Sequence, residues 1–163
     1  MNKNILLIIF AIISAVVLQS SILPVYLAGP FKPDLLLIIV VYLALRSSFK
    51  FGSPLSWMLG LLKDVFSGLY LGLNAFVFLI IFLAIKNVAD RLYAESSFLF
   101  VLTVITATLA SAIINLLLLV MLTNVPEIAF SITYGLIPNV LTTAFAASLV
   151  TLFPRFSRGN AAL

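Results

Sequence analysis

The chain has no cysteine and no histidine among its 163 residues. Without them it cannot build a disulfide, a thiolate or imidazole zinc site, or a Ser–His or Cys–His nucleophile pair from its own side chains. Charge is the second scarcity: Asp, Glu, Lys and Arg together make up 9% of the residues, where soluble domains average roughly 25%. Apolar sequence takes their place, at 64% of the chain with a mean hydropathy of +1.30. A soluble core cannot absorb that much apolar surface, and nearly all of the chain falls in runs long enough to cross or nearly cross a bilayer. The expected class is an all-α, polytopic membrane protein, a six-helix transmembrane bundle in one integral membrane domain over residues 1–163.

The breaks between apolar runs set the expected spans at about residues 5–23, 34–45, 54–67, 73–88, 98–122 and 128–153. Pro24 to Pro33 carries three prolines and a glycine, which remove backbone donors and favour turns. Arg46 to Gly52, the glycine-containing joint Ser67 to Gly72, the polar stretch Lys86 to Ser97 and the short Thr123 to Glu127 make the other breaks. Lys3 followed by Ile5 to Leu18 has the build of a signal peptide, but Val17 to Ser21 offers no clean small-x-small cleavage site, so it is read as a retained span. Asp34 opens the second run, where the positive end of the helix dipole favours a carboxylate. The third and fourth runs are short. From Pro54 to Ile85, at ~1.5 Å per residue, they reach roughly 48 Å, against roughly 60 Å for two crossings. Either the helices continue into their polar flanks or the turn lies below the membrane surface in a protein-lined setting.

Six spans alternate the loops between two sides. One side receives Lys3, Arg46, Lys50, Lys86, Arg91, Arg155 and Arg158, and the other receives Lys32. That bias makes the first side cytoplasmic and places both termini there. The net charge of +4 is dispersed between apolar segments, so it reads as topology rather than as a nucleic-acid patch.

Lys63 and Asp64 are the charges lying well inside an expected span, and intramembrane charge is costly enough to suggest function. They could face a polar pocket for a ligand or partner. Equally, Asp64 could brace the glycine turn while Lys63 extends towards the headgroups. Gly60, Gly68 and Gly72 recur at multiples of four, as small residues do where membrane helices approach closely, and Asn74 sits where a cap for the next helix belongs. Two stripes of small and polar residues follow: Thr103, Ala107, Ser111 and Asn115 on the fifth helix, and Gly135, Asn139, Thr143, Ala147 and Thr151 on the sixth. They suit close packing with Asn bonds across helices, or alternatively the lining of a permeation path. Gln19, on one face with Ala11 and Ala15, is read the same way. Pro138 is expected to kink the sixth helix and free a carbonyl that Thr142 or a neighbour would satisfy. No second acid accompanies Asp64 as acid–base chemistry would need, and no glycine loop follows a strand, so the chain reads as noncatalytic with no cofactor.

The stretch Leu59-Gly60-Leu61-Leu62-Lys63-Asp64-Val65-Phe66-Ser67-Gly68, with Leu71-Gly72-Leu73-Asn74-Ala75 after it, resembles the signature of the rod-shape-determining MreD family. Pro33-Asp34-Leu35-Leu36-Leu37 leading to Tyr42-Leu43-Ala44-Leu45 extends the resemblance, as do the chain length and the basic, polar fourth loop. The resemblance implies a subunit of the cell-elongation machinery in the bacterial inner membrane. Its implied partners are the bitopic protein MreC, with MreB, RodA and a class B penicillin-binding protein in the same complex; self-association is left open. The family is similar in layout to the six-helix substrate-binding subunits of energy-coupling-factor vitamin transporters, which gives the alternative: a solute-binding transporter subunit.

Overall fold

A computed structural model describes residues 3–27, 31–67, 71–89, 97–122 and 126–152, and all regular secondary structure among them is helical. The order is α1 (Lys3–Val17), a π-helical turn (Leu18–Ile22), α2 (Leu23–Tyr26), α3 (Leu35–Arg46), α4 (Phe49–Ser67), α5 (Leu73–Ala89), α6 (Ser97–Leu122) and α7 (Pro126–Thr151). The residues on either side of the π turn keep right-handed helical angles, so α1 and α2 form one rod. Helix therefore continues past Pro24, in contrast to the break expected there. A proline ring crowds the carbonyl four residues back and supplies no N–H; at the first turn of α2, with a widened turn before it, neither defect stops the chain.

Helix α3 is the axis of the bundle. Leu36, Leu37, Ile38, Val40, Val41, Leu43 and Ala44 are all buried, and Leu35, Ile39, Tyr42, Leu45 and Arg46 are half-buried, so neighbours cover most of the circumference of the helix. Around it pack Ala15 of α1, Leu59 of α4, Val77, Phe78, Ile81 and Phe82 of α5, Val104 and Ala107 of α6, and Ala147 of α7. Both ends of α3 are tied off. Asp34 accepts the Leu37 amide at 3.3 Å, and at the far end the Ser47 hydroxyl donates to the Leu43 carbonyl at 2.7 Å.

Helices α4 and α5 form a tight hairpin beside it. Helix α4 begins at Phe49, ahead of the start expected at Pro54, so the hairpin gains length from its polar flank. Close approach is permitted by glycine: a Cβ on Gly60 would lie 2.3 Å from the Ala75 Cα and 2.6 Å from the Asn74 carbonyl oxygen. Gly72 takes a positive φ of 96° at the joint, a conformation with little cost only for glycine.

Many large apolar side chains lie on the described surface. Phe10, Val25 and Tyr26 on the first rod, Phe51 and Val65 on α4, Phe98 and Met121 on α6, and Leu141 and Phe145 on α7 are all exposed. Soluble monomers rarely expose contiguous apolar patches beyond a few hundred Å². Among the described residues, two segments, Ile9–Tyr26 and Phe98–Leu118, are long and apolar enough to cross a bilayer, and 6% of the first is buried against 22% of the second. The first rod is thus a peripheral element leaning on α3, whereas α6 is partly built into the bundle.

Candidate functional site

The two charges adjacent in sequence serve different neighbours. Successive helical residues point about 100° apart, so Lys63 and Asp64 leave α4 in different directions. Asp64 is 2% exposed and turns to the start of α5. Its Oδ1 accepts the Asn74 amide at 2.9 Å and the Asn74 Nδ2 at 2.8 Å; its Oδ2 accepts the Gly72 amide at 2.9 Å and the Ala75 amide at 3.2 Å. Orphan amides at a helix start are normally capped by the residue just before it. Here a carboxylate from the preceding helix does so, with the added attraction of negative charge for the positive end of α5. Asn74 therefore does not cap the helix, in contrast to the role its sequence position suggests: it lies inside the first turn of α5 and donates to Asp64.

Lys63 turns the other way and forms an ion pair with Asp34 at the head of α3. Its ammonium also stands 5.0 Å from the centroid of the buried Phe78 ring, within cation–π range. Lys63 is thus held inside the bundle's polar layer rather than reaching only for headgroups. Asp34 collects further partners. Its amide donates to the Thr143 hydroxyl at 3.1 Å, and its Oδ1 accepts from Gln19 Nε2 at 3.4 Å. Gln19, in the π turn, also accepts the Leu36 amide at 3.2 Å, so it caps α3 rather than merely packing. Nearby, Asn139 Nδ2 donates to the Lys32 carbonyl at 2.8 Å. Side chains from the first rod, α4 and α7 converge on the first turn of α3, while Asp64 on the adjacent α4 position fixes α5.

The apolar pattern of the sequence did not single out Asp34 as the centre of this layer, although a signal was present. A residue opening the second span and one near the end of the third lie at the same end of antiparallel helices, so an acid and a base there can meet. The second missed residue is Lys86, whose Nζ donates to the Ser47 carbonyl at 3.1 Å and places a cation at the C-terminal end of α3.

The remaining candidates divide. Ser111 and Thr143 are buried with Ala107 and Ala147 on α6 and α7, and Gly135 is half-buried on α7. Asn115 does not bond across helices as expected: its Nδ2 approaches Ser111 of its own helix at 3.4 Å, and its buried Oδ1 has no partner among the described residues. Asn139 reaches the chain entering α3 rather than another helix. Pro138 lies inside α7, yet Thr142 does not satisfy the carbonyl it frees. The Thr142 hydroxyl donates instead to the Pro138 and Asn139 carbonyls, at 2.9 and 3.1 Å, because a hydroxyl on a helix reaches carbonyls three and four residues back. Gly68 lies outside the described residues.

Gln19, Asp34, Lys63, Asp64, Asn74 and Thr143 all make contacts that tie one helix to another. Comparison of the chain with curated proteins and with solved structures gives no match. The model of the family described as rod shape-determining protein MreD matches residues 1–157, a range that contains the whole polar layer. The chain therefore belongs to the MreD family of rod shape-determining proteins, membrane-associated structural components of the machinery that sets cell shape.

Proposed function

We propose that this protein is a noncatalytic, multi-pass scaffold of the bacterial inner membrane that binds MreC and, within the cell-elongation complex, supports MreB, RodA and a class B penicillin-binding protein in peptidoglycan synthesis. The observation that carries this reading is the saturation of Asp64. An ionised carboxylate offers about four acceptor positions, and the start of α5 takes all four. A solute or cation would have to displace a helix cap to reach it.

The apolar exterior favours docking of partner helices. Thr143 lies well along α7, so the N-terminal part of α7 and the end of α6 rise roughly 25 Å beyond the level of Asp34 at ~1.5 Å per residue. Ile113, Leu117, Val120 and Met121 on that part of α6 are exposed, above the shorter α3–α5 layer. Apolar side chains in this position suit the van der Waals packing that drives helix association in membranes.

The test is purification of the tagged chain from rod-shaped cells in mild detergent, together with complementation of cells depleted of their own MreD. Co-purification of MreC and restoration of rod shape are expected. Retention of a small solute with an ATPase module, and no MreC, would establish the transporter-type alternative instead.

A further inference from the structure

At the end of the bundle opposite Asp34, three basic residues from three helices meet at one corner. Arg46 occupies the last turn of α3, Lys50 the first turn of α4, and Lys86 reaches across from α5 to the Ser47 carbonyl between them. Lys50 is exposed and Arg46 half-buried. Phe49 and Phe51 flank Lys50 at 55% and 73% exposure, and Phe49 leans on Phe82 with ring centroids 6.4 Å apart. The described acids Asp34 and Asp64 lie at the other end of these helices. Lys86 is already engaged, so the available charge is that of Arg46 and Lys50. Against their two full positive charges, the C-terminus of α3 sets about half a negative charge and the N-terminus of α4 about half a positive one, which cancel.

We infer that this corner is a binding site for the headgroup of an anionic phospholipid, with Arg46 and Lys50 on the phosphate and Phe49 and Phe51 at the boundary between headgroups and acyl chains. The inference rests on the membrane-embedded reading above. A corner with charge alone would be a topology signal; exposed phenyl rings beside the charge add apolar anchorage, as Phe does on the apolar face of interfacial helices. Charge selects the class of lipid. A phosphatidylglycerol headgroup keeps a net negative charge, whereas phosphatidylcholine is neutral overall. Each basic residue near an anionic surface is worth about fivefold in affinity.

The experiment is native mass spectrometry of the full chain, released from nanodiscs of equal phosphatidylglycerol and phosphatidylcholine with identical acyl chains. The wild type should retain the anionic lipid in clear excess. Lys50→Gln should cut that preference about fivefold and Arg46→Gln/Lys50→Gln should bring it to near parity, while Lys32→Gln at the opposite end leaves it unchanged. Lys50 is exposed, so its replacement does not threaten folding. Equal retention of both lipids by the wild type, or an unaltered preference in Lys50→Gln and the double variant, would overturn the site. Failure of the membrane reading looks different: the chain would stay monodisperse without detergent and carry neither lipid.

Discussion

Asp64 shows how much one side chain can determine in an apolar bundle. Its two oxygens take three backbone amides and one side-chain amide from the start of α5, and each donor left unpaired costs about 1 to 3 kcal/mol. In Asp64→Asn one oxygen still accepts, but the new NH2 group faces two amides; in Asp64→Leu no acceptor remains. Thermal unfolding in detergent should therefore rank wild type above Asp64→Asn above Asp64→Leu, and co-purification of MreC should follow the same order. Equal and complete loss in both at normal stability would mean that the charge itself is needed for a ligand. The two glycines of the hairpin separate packing from conformation in the same way. Gly60→Ala drives a methyl group into the backbone of α5 and should cost about 1 to 3 kcal/mol as an overpacked contact. Gly72→Ala meets no atom within 4 Å yet is strained by its positive φ, at about 1 to 2 kcal/mol. A cysteine pair engineered across α4 and α5 should crosslink more slowly in the first variant and at an unchanged rate in the second. Slowed crosslinking in Gly72→Ala would contradict this assignment.

At the scale of elements, the bundle is a short central helix with its ends secured by its neighbours. With 12 residues, α3 reaches ~18 Å, well short of a hydrocarbon core of about 30 Å. Asp34, Leu36 and Leu37 at its start are all buried, so their amides lack water, and Thr143, Gln19 and Asp34 supply the acceptors. Lys63 then balances the charge of Asp34. Removing one member of a buried pair commonly costs about 3 to 5 kcal/mol; with the Lys63 side chain 21% exposed, about 1 to 3 kcal/mol is expected for Lys63→Met or Asp34→Asn. The double variant should be destabilised by less than the sum of the two, since neither leaves the other unpaired. Additive losses in the unfolding midpoint would mean that the pair is not coupled. Gln19 extends the same logic to the first rod, which is otherwise largely exposed: its π turn aims one amide side chain at two groups of α3.

For the whole molecule, the distribution of charge and the placement of the helices bear on the same question of orientation. The end carrying Arg46, Lys50 and Lys86 is expected in the cytoplasm, with Lys32 and Glu127 facing the periplasm and Asp90 and Arg158 the cytoplasm. Fusions of alkaline phosphatase and of a fluorescent protein at these four positions would decide it. Phosphatase activity after Arg91 would defeat the six-span arrangement. The unequal lengths of the helices add a structural consequence: α6 and α7, with 26 residues each, outreach α3, α4 and α5, so the molecule is not a uniform cylinder. Above the polar layer, Ile113, Leu117, Val120 and Met121 of α6 offer exposed apolar surface.

Composition together with the length of the apolar runs pointed to the helical class, because unbroken apolar runs of this length suit helices and not strands. The proline and glycine breaks were uneven guides, since helix runs past Pro24 and α4 starts at Phe49, while the motif around Gly60, Asp64 and Gly72 pointed to the family. Direction and pairing were not legible there. Whether Lys63 faces Asp64, Asp34 or the headgroups depends on the rotation of α4 against α3, which apolar sequence does not encode when every face is apolar. The same is true of Asn139, whose partner is a loop carbonyl 107 residues away, and of Gln19, which lies in the π turn and bonds the start of α3. Tertiary structure decided these contacts because each is set by the relative depth and rotation of two helices, and the one-dimensional pattern carries neither.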